Sequence, residues 1–516
     1  SFDRFHENVD DIYRVIRIQG PDKNREHAGV SEAPMGPTLM ADYPEVIDYV
    51  RVTGMGATLV EHEETKLNID RVLLAGASFF RMFSFPLIAG SADDALDEPM
   101  KVVLSHETAK RLFGSALDAV GKTVTLRQAP MTVTAVADDV PENSSIQFDM
   151  LVSFITVQAM GRDLETWRGD WLTSFVLLKQ GTDVQHLDAQ MPAFLQRHMP
   201  RRAEYGNVLY LHPFADSHLG SNHITFGGGI TQTSDIRYVY VFSAVGVFVL
   251  VIACINFMNL TTARSARRAA EIGVRKVVGA QRGQLIRQFL GESFGLTLLG
   301  FALAIGMVGL IGPAFNAAFS TKLDVSRVLS PSFIPAGVAF ILGVGLLAGI
   351  YPAFYLSAFN PVSVLKDGGA PRSSGTLVRK VLVITQFAIS STLIIGTGLV
   401  LEQFDFLRNR NLGFNTDQVL VINIPDPAAM GGKLETLKAE LLQHPDILKT
   451  AASSVTLGRN FIRGGGATYE SDEGPMEDIN TRQMAVGYDF ISTYGIEILE
   501  GRDFSREHAL DVASFE

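Results

Sequence analysis

The sequence predicts a polytopic α-helical membrane protein with α+β external domains on either side of its membrane block. Three observations predict it. Four apolar runs, each near the roughly 20 residues needed to cross a hydrocarbon core, fall within residues 237–402. Basic residues gather in the connections between runs one and two and between runs three and four. The flanks are acidic: residues 1–236 carry 32 Asp and Glu against 20 Lys and Arg, and residues 403–516 carry 18 against 10, whereas residues 237–402 carry 5 against 14. Acidic flanks around a basic, apolar centre argue against nucleic acid as a partner and for membrane lipid.

The runs place spans at about 238–260, 293–319, 333–359 and 381–401. The connection 261–290 holds Arg264, Arg267, Arg268, Arg275, Lys276, Arg282 and Arg287 against the single acid Glu271, and the connection 360–380 holds Lys366, Arg372, Arg379 and Lys380 against Asp367. Both are short, so the excess of positive charge puts them on the cytoplasmic side. Residues 1–236 and those after about 403 are then external. Within the spans, the Gly345–Gly349 spacing lets two helices approach closely. Pro352 and Pro361 are expected to bend or end the third span, and Gln386 to donate a hydrogen bond between helices.

In the first external segment, Lys101–Leu104 and Lys122–Ala137 read as strands, as do Phe175–Leu178 and Val208–Leu211; Glu107–Phe113 and Asp188–His198 read as helices. A faint internal repeat links Tyr43-Pro44-Glu45-Val46 to His444-Pro445-Asp446-Ile447, and Ala77–Gly90 to Tyr488–Gly501. Residues 403–516 are therefore expected to begin a second, incomplete external domain. Ser1 opens the chain without a Met, which adds to the expectation of a longer parent protein.

Several chemistries are absent or out of context. No Gly-x-x-x-x-Gly-Lys-Ser/Thr loop occurs, and His62-Glu63 and His106-Glu107 lack a second zinc-spaced His. Gly291-Glu292-Ser293-Phe294-Gly295 has the spacing of a nucleophile elbow, but a basic segment precedes it and a span follows. Asn143-Ser144-Ser145 reads as loop chemistry after Pro141, and Glu292, at a span boundary, as a partner for Arg287 or Arg282. The acidic groups Glu61, Glu63, Glu64 and Asp138, Asp139, Glu142 read as a solvated face and a turn. The lone cysteine, Cys254, permits no intrachain disulfide. No catalytic residue and no metal site is expected in the chain.

The stretch Glu271-Ile272-Gly273-Val274-Arg275-Lys276-Val277-Val278-Gly279-Ala280, continued to Ser293, resembles the coupling segment of FtsX-like, MacB-type ABC transporter permeases. Ile255–Leu260, Gly349–Ser357, Pro361–Lys366, Gln386–Ser390 and the opening Phe2–Val15 are similar to the same family, in its larger, duplicated branch. The resemblance implies external domains of the porter-and-Sabre type in the periplasm and a place in the bacterial inner membrane. It implies a type VII ABC system, in which a separate cytoplasmic ATPase subunit holds ATP and Mg and the chain itself holds no cofactor. It implies mechanical work on, or export of, peptides, antibiotics or lipoproteins. A second permease copy, or a periplasmic or outer-membrane component, is a further partner it implies.

The residues suit such coupling. Arg267–Gly279 can form an amphipathic helix with Ile272, Val274, Val277 and Val278 as its apolar set and Gly279 as its C-cap, followed by Ala280. Arg268, Arg275 and Lys276 can meet acidic groups on the ATPase, and Arg267, Glu271 and Gly273 complete the coupling segment. A membrane-anchored receptor or scaffold that does no ATP-driven work is the other reading.

Overall fold

In a computed structural model the chain divides into two compact units, residues 1–236 with 411–516, and residues 237–410. The structure describes all residues except 1, 20–24, 227–229, 264, 320–329, 332, 358–373, 425–429, 431, 458–463, 472–473, 483, 509–510 and 512–516. Pro361 and most of the connection 360–380 therefore lie outside the described residues.

The first unit is built on one mixed sheet. Its strands are β1 (Ile12–Gln19), β2 (Glu26–Ala28), β3 (Val46–His62), β4 (Thr65–Ala75), β5 (Leu87–Ala89), β6 (Lys101–Ser105), β7 (Thr123–Leu126), β8 (Ala129–Ala137), β9 (Met150–Ser153), β10 (Thr173–Leu178), β11 (Val208–Pro213) and β12 (Ile224–Phe226). They run in the order β12-β2-β1-β10-β3-β4-β9-β6-β8-β5, with β11 on β1 and β7 on β3 and β8. Helices α1 (Met35–Asp42), α2 (Phe79–Met82), α3 (His106–Phe113), α4 (Thr156–Ala159), α5 (Val184–Asp188), α6 (Met191–His198) and α7 (Pro200–Glu204) connect the strands.

Local chemistry sets the turns. The expected Lys122–Ala137 strand pair is the β7–β8 hairpin, with Arg127 and Gln128 both at positive φ (47° and 66°), as a two-residue primed turn requires. Ser105 caps α3 by accepting the Thr108 N–H at 3.3 Å, and Gly114 closes it at φ 76°. Glu63 and Glu64 are the tip of the long β3–β4 hairpin, where Lys66 pairs with Glu61 at 2.8 Å. The other acidic group follows β8, and Asp139 accepts the Glu107 N–H at 3.0 Å. The Asn143–Ser145 loop is locked in place: Asp3 N–H donates to the Asn143 carbonyl at 2.8 Å, and Ser145 N–H donates to the Asp3 carboxylate at 2.7 Å.

Rings of Phe79, Phe83, Phe85, Phe148, Phe175 and Phe214 fill one core of this unit. Elsewhere it buries charge. Glu32 Oε1 accepts from Arg17 at 2.9 Å and from Arg202 at 2.8 Å, and both guanidiniums also reach Asp170. Burial pushes the Glu32 carboxyl up to about 7, against the pull of Arg17. Burial raises Asp170 as well, but Arg17, the hydrogen bond with Glu32 and Arg202 outweigh it and hold that carboxyl below the usual range. The network ties β1 and α7 to the segments preceding α1 and β10.

Within the same unit, residues 411–516 repeat a local pattern of residues 35–82. Ile447 N–H donates to the His444 carbonyl, as Val46 N–H does to Tyr43, both at 3.0 Å. Ser453 bridges Val486 antiparallel, as Val52 pairs with Ala75. Gly487 N–H donates to the Ala452 carbonyl at 2.8 Å, as Gly76 N–H does to Arg51 at 3.0 Å. Each glycine leads into a short helix, Phe490–Tyr494 and α2 respectively. The strand pair Gly464–Ser471 and Gly474–Arg482 occupies the place in sequence of the β3–β4 tip.

The second unit holds α8 (Ile236–Ala263), α9 (Ser265–Val277), α10 (Arg282–Phe319), α11 (Ile334–Ser357) and α12 (Ser374–Asn409). Four of these are long and apolar enough to cross a membrane, over Ile236–Thr261, Arg282–Ala318, Ile334–Phe354 and Leu377–Asn409. They match the four expected runs, with α10 starting eleven residues before the expected Ser293. At about 1.5 Å per residue, α10 is about 57 Å long, well beyond a hydrocarbon core of about 30 Å. Its first turns therefore belong to the basic connection. Pro352 does not end α11, which runs on to Ser357.

The charge network carries a pH dependence. A carboxyl whose folded value lies above its ordinary 4.5 stabilises the fold least when ionised, so its contribution falls as pH rises from about 4.5 through 7. The stability advantage of wild type over Glu32→Gln should shrink between pH 5 and pH 8. Denaturation followed by the fluorescence of Trp167 and Trp171, the two tryptophans of the chain, measures it. An advantage constant with pH would contradict the assignment.

Candidate functional site

The connection between spans one and two is a helix–turn–helix. α9 ends at Gly279, whose φ of 105° suits only glycine comfortably; Gly279 N–H donates to the Lys276 carbonyl at 3.1 Å and Ala280 N–H to the Arg275 carbonyl at 2.9 Å. The Gln281 N–H then donates to Gln284 Oε1 at 3.0 Å, and α10 begins. Gly279 is thus the C-cap that the sequence predicts.

Three helices close over one apolar cluster: Ile272 from α9, Leu285 and Phe289 from α10, and Ala353 from α11, flanked by Ile286 and Leu290. Ile272 is 3 % exposed, whereas Val274, Val277 and Val278 are 53 %, 66 % and 83 % exposed. The expected apolar set therefore splits. Ile272 faces the protein's own core, because α10 presents Leu285, Ile286 and Phe289 at helical spacing one turn after Gly279. The three valines form an outward apolar face. Arg275, Gly279, Ala280, Gln284 and Gln288 line a shallow concavity beside it.

The bases divide in the same way. Arg275 donates to Glu271 at 2.7 Å and to Gln288 at 2.8 Å, bracing α9 against α10. Lys276 donates to the Ser357 carbonyl at 2.7 Å, and Arg282 Nε reaches Ser357 Oγ at 3.4 Å. Burial and the neighbouring Arg282 press the Lys276 ammonium below its ordinary value. A Lys donating to the last carbonyls of a helix also favours the helix C-terminus. Arg275 and Lys276, expected to meet a partner's acids, thus spend hydrogen bonds inside the unit. Gly273 is buried on the inner face of α9; the side chains of Arg267 and Arg268 lie outside the described residues.

Below this cluster α11 packs directly on α10. A Cβ added to Gly345 would sit 2.3 Å from the Phe294 ring, and one added to Gly349 would sit 2.7 Å from Ser293 Oγ. Both positions thus permit a backbone approach that a side chain would block. Ser293 Oγ donates to the Phe289 carbonyl at 3.0 Å inside α10, so the Gly-x-Ser-x-Gly spacing forms no elbow. Glu292 accepts from Gln288 at 3.4 Å. Gln386 is half-buried on α12, and the described hydrogen bonds include none from its side chain.

One near-match to a phosphate loop escaped the sequence reading. Ala116-Leu117-Asp118-Ala119-Val120-Gly121-Lys122-Thr123 differs from the strict pattern only in its first residue. Gly121-Lys122 leads into strand β7 rather than opening a helix, so no helix N-terminus faces a phosphate there.

Residues 1–194 match the MacB-like periplasmic core domain, and residues 243–361 match the FtsX-like permease C-terminal domain. The chain belongs to the FtsX-like, MacB-type ABC transporter permeases. It is 29% identical over 58% of its length to a "Probable export ATP-binding/permease protein MacB" of Pseudomonas entomophila, covering 43% of that protein. It is 28% identical over 62% of its length to a "Macrolide export ATP-binding/permease protein MacB" of Agrobacterium fabrum, covering 46% of it. The chain thus spans less than half the length of these relatives. A solved domain of a permease protein from Porphyromonas gingivalis is 26% identical, with a TM-score of 0.35, over 40% of this chain and 92% of that one.

The two glycines give a sharp test. Gly349→Val should overpack the α10–α11 contact and cost about 1–3 kcal/mol, read as a lower melting midpoint of the detergent-solubilised protein. Gly343→Val, where an added Cβ meets nothing within 4 Å, should leave the midpoint unchanged.

Proposed function

We propose that this chain is the permease part of an ABC system in which a separate cytoplasmic ATPase pushes on α9 and the membrane helices carry that motion to the periplasmic domain. The observation that carries the reading is the clamp: Ile272 buried against α10 and α11, with Val274, Val277 and Val278 left outward beside a shallow concavity. An exposed apolar face on a helix suits docking into a partner's groove. The buried residue and the Arg275 and Lys276 bonds make α9, α10 and α11 move as one body. A force applied at the valines is then transmitted rather than absorbed.

The absence of a strict phosphate-loop motif in the sequence supports ATP binding by another polypeptide or by a part of the protein beyond this stretch. The relatives' printed names join ATP binding and export, one of them of macrolides. By analogy we assign an exported or periplasmically handled small peptide, antibiotic or lipoprotein as the class of cargo. The parallel bonds at Gly76 and Gly487 and at Tyr43 and His444 support residues 411–516 as the beginning of a second external domain.

The test uses the full-length protein purified in mild detergent. It should bring down a P-loop ATPase whose turnover it stimulates. Val277→Asp with Val278→Asp should abolish capture while leaving the permease folded, since both side chains are exposed. Arg275→Gln should retain capture but weaken stimulation, because it loosens the brace. Capture unaffected by the valine pair would overturn docking through α9, and no ATPase at all would favour a scaffold.

A further inference from the structure

A cluster of three histidines and a tyrosine lies in the periplasmic domain, far in sequence from α9. The strand register places most of it on one face of the sheet. Arg14 stands opposite His212, Ile16 opposite Tyr210 and Ile18 opposite His27. Directly opposed residues share a face, and every second residue returns to it. His223 joins from the segment leading into β12, which pairs in parallel with β2. The Tyr210 hydroxyl lies 2.8 Å from His27 Nδ1 and 2.9 Å from His223 Nε2. The His27 and His223 ring centroids are 4.9 Å apart, and those of His212 and His223 are 5.6 Å apart.

One phenol carries one proton. It donates to one imidazole and accepts from the N–H of the other, so both contacts close with both rings neutral. Protons added to His27 and His223 would set two cations about 5 Å apart on a face that already holds the buried Arg14 guanidinium. Among the described residues, no group of three His, Cys, Asp or Glu is placed to hold a metal ion, so the chemistry available to the cluster is protonic.

We propose that His27, Tyr210 and His223, backed by His212, form a pH-released latch that pins the segment entering the first membrane helix to the edge of the periplasmic sheet. That segment runs from Ser217 to Ile236, where α8 begins. The β12–β2 pairing and the Tyr210–His223 contact fasten its first half to the edge. His218 Nδ1 contacts the Gln232 carbonyl at 2.9 Å and stacks on Phe2, and Asn222 bonds Asp235 at 2.6 Å. The second half is held to the domain separately, by Arg14 donating to Thr231 Oγ1 at 3.2 Å, a Thr231 bridge to Ile146 and the Gln232 N–H bond to the Ser145 carbonyl at 2.8 Å.

The groups facing the cluster are Arg14 from β1, Asp188 from α5, whose carboxylate accepts the Leu211 N–H at 2.9 Å, and Asp216 after β11. Burial, then the neighbouring His223, lowers both His27 and His212 from the ordinary histidine value. Burial also pushes the Tyr210 phenol up to about 12, keeping its proton in place. The closed latch thus favours the neutral rings of His27 and His212. It is fully closed above pH of about 6.5 and loses stability as pH falls below that value. Acidification would release residues 217–226 from the sheet edge, while Ile230, Thr231 and Gln232 keep the chain before α8 fastened to the domain core.

Hydrogen–deuterium exchange of the full-length protein in lipid nanodiscs tests this, at pH 7.5 and pH 5.5 with labelling times scaled for intrinsic exchange. Peptides covering 217–226 and 208–213 should lose protection at the lower pH. In His27→Gln with His223→Gln that pH response should vanish. Tyr210→Phe should lower protection at both pH values. Peptides of the β3–β4 hairpin should stay protected throughout, which marks the fold as intact. Equal wild-type protection at the two pH values, or an undiminished response in the double variant, would overturn the latch.

Discussion

The burial of Ile272 against Leu285, Phe289 and Ala353 is the contact on which the membrane unit's reading depends. Without it α9 would be a basic helix lying on anionic lipid, free to move independently of the spans. With it, one β-branched side chain anchors α9 in a dry cluster contributed by two membrane helices, and the polar bonds around it follow. Arg275 can reach Gln288 and Lys276 can reach the Ser357 carbonyl only because Ile272 fixes the helix's rotation. The same rotation turns Val274, Val277 and Val278 outward. Gly345 and Gly349 extend the contact along α11, where the absence of side chains lets α10 approach.

The periplasmic domain shows a second constraint of the same kind. A sheet with both faces covered must satisfy whatever charge it buries. Arg17 and Arg202 do so around Glu32 and Asp170 on one face of β1, while Arg14 lies on the opposite face with the histidine cluster. Alternation along one strand thus sends Arg14 and Arg17 to opposite sides. The network braces the core, whereas the cluster lies at the sheet edge where β12 pairs with β2.

The spans were legible because length and hydropathy suffice for them, and the positive charge between them marked the helix–turn–helix. α3 was legible from Ser105 and Gly114, which cap it through local bonds. Gly279 was legible for the same reason. The β3–β4 hairpin was not, because Gly54, Gly56 and a run of charges interrupt its alternation, and its stability comes from β10 and β9 on either side. The roles of Arg275 and Lys276 were not legible either. A basic residue on an amphipathic helix looks the same in sequence whether it meets a partner or a carbonyl eighty residues away. The sequence groups Val274, Val277 and Val278 with Ile272 as one apolar set, and only the fold separates the outward valines from the buried isoleucine.

The central claim is that α9 moves with α10 and α11 as one body when the proposed ATPase works. Pulsed electron–electron resonance tests it most directly. Spin labels at Glu271→Cys and Phe354→Cys, both exposed and outside the three docking valines, in a Cys254→Ala background would report the α9–α11 distance in the complex with the proposed ATPase, with and without nucleotide. A single narrow distribution, unchanged between the two states while a Glu271-to-periplasmic-domain pair shifts, is the predicted result. An α9–α11 distance that changes or broadens with nucleotide would contradict the clamp as the element that transmits motion.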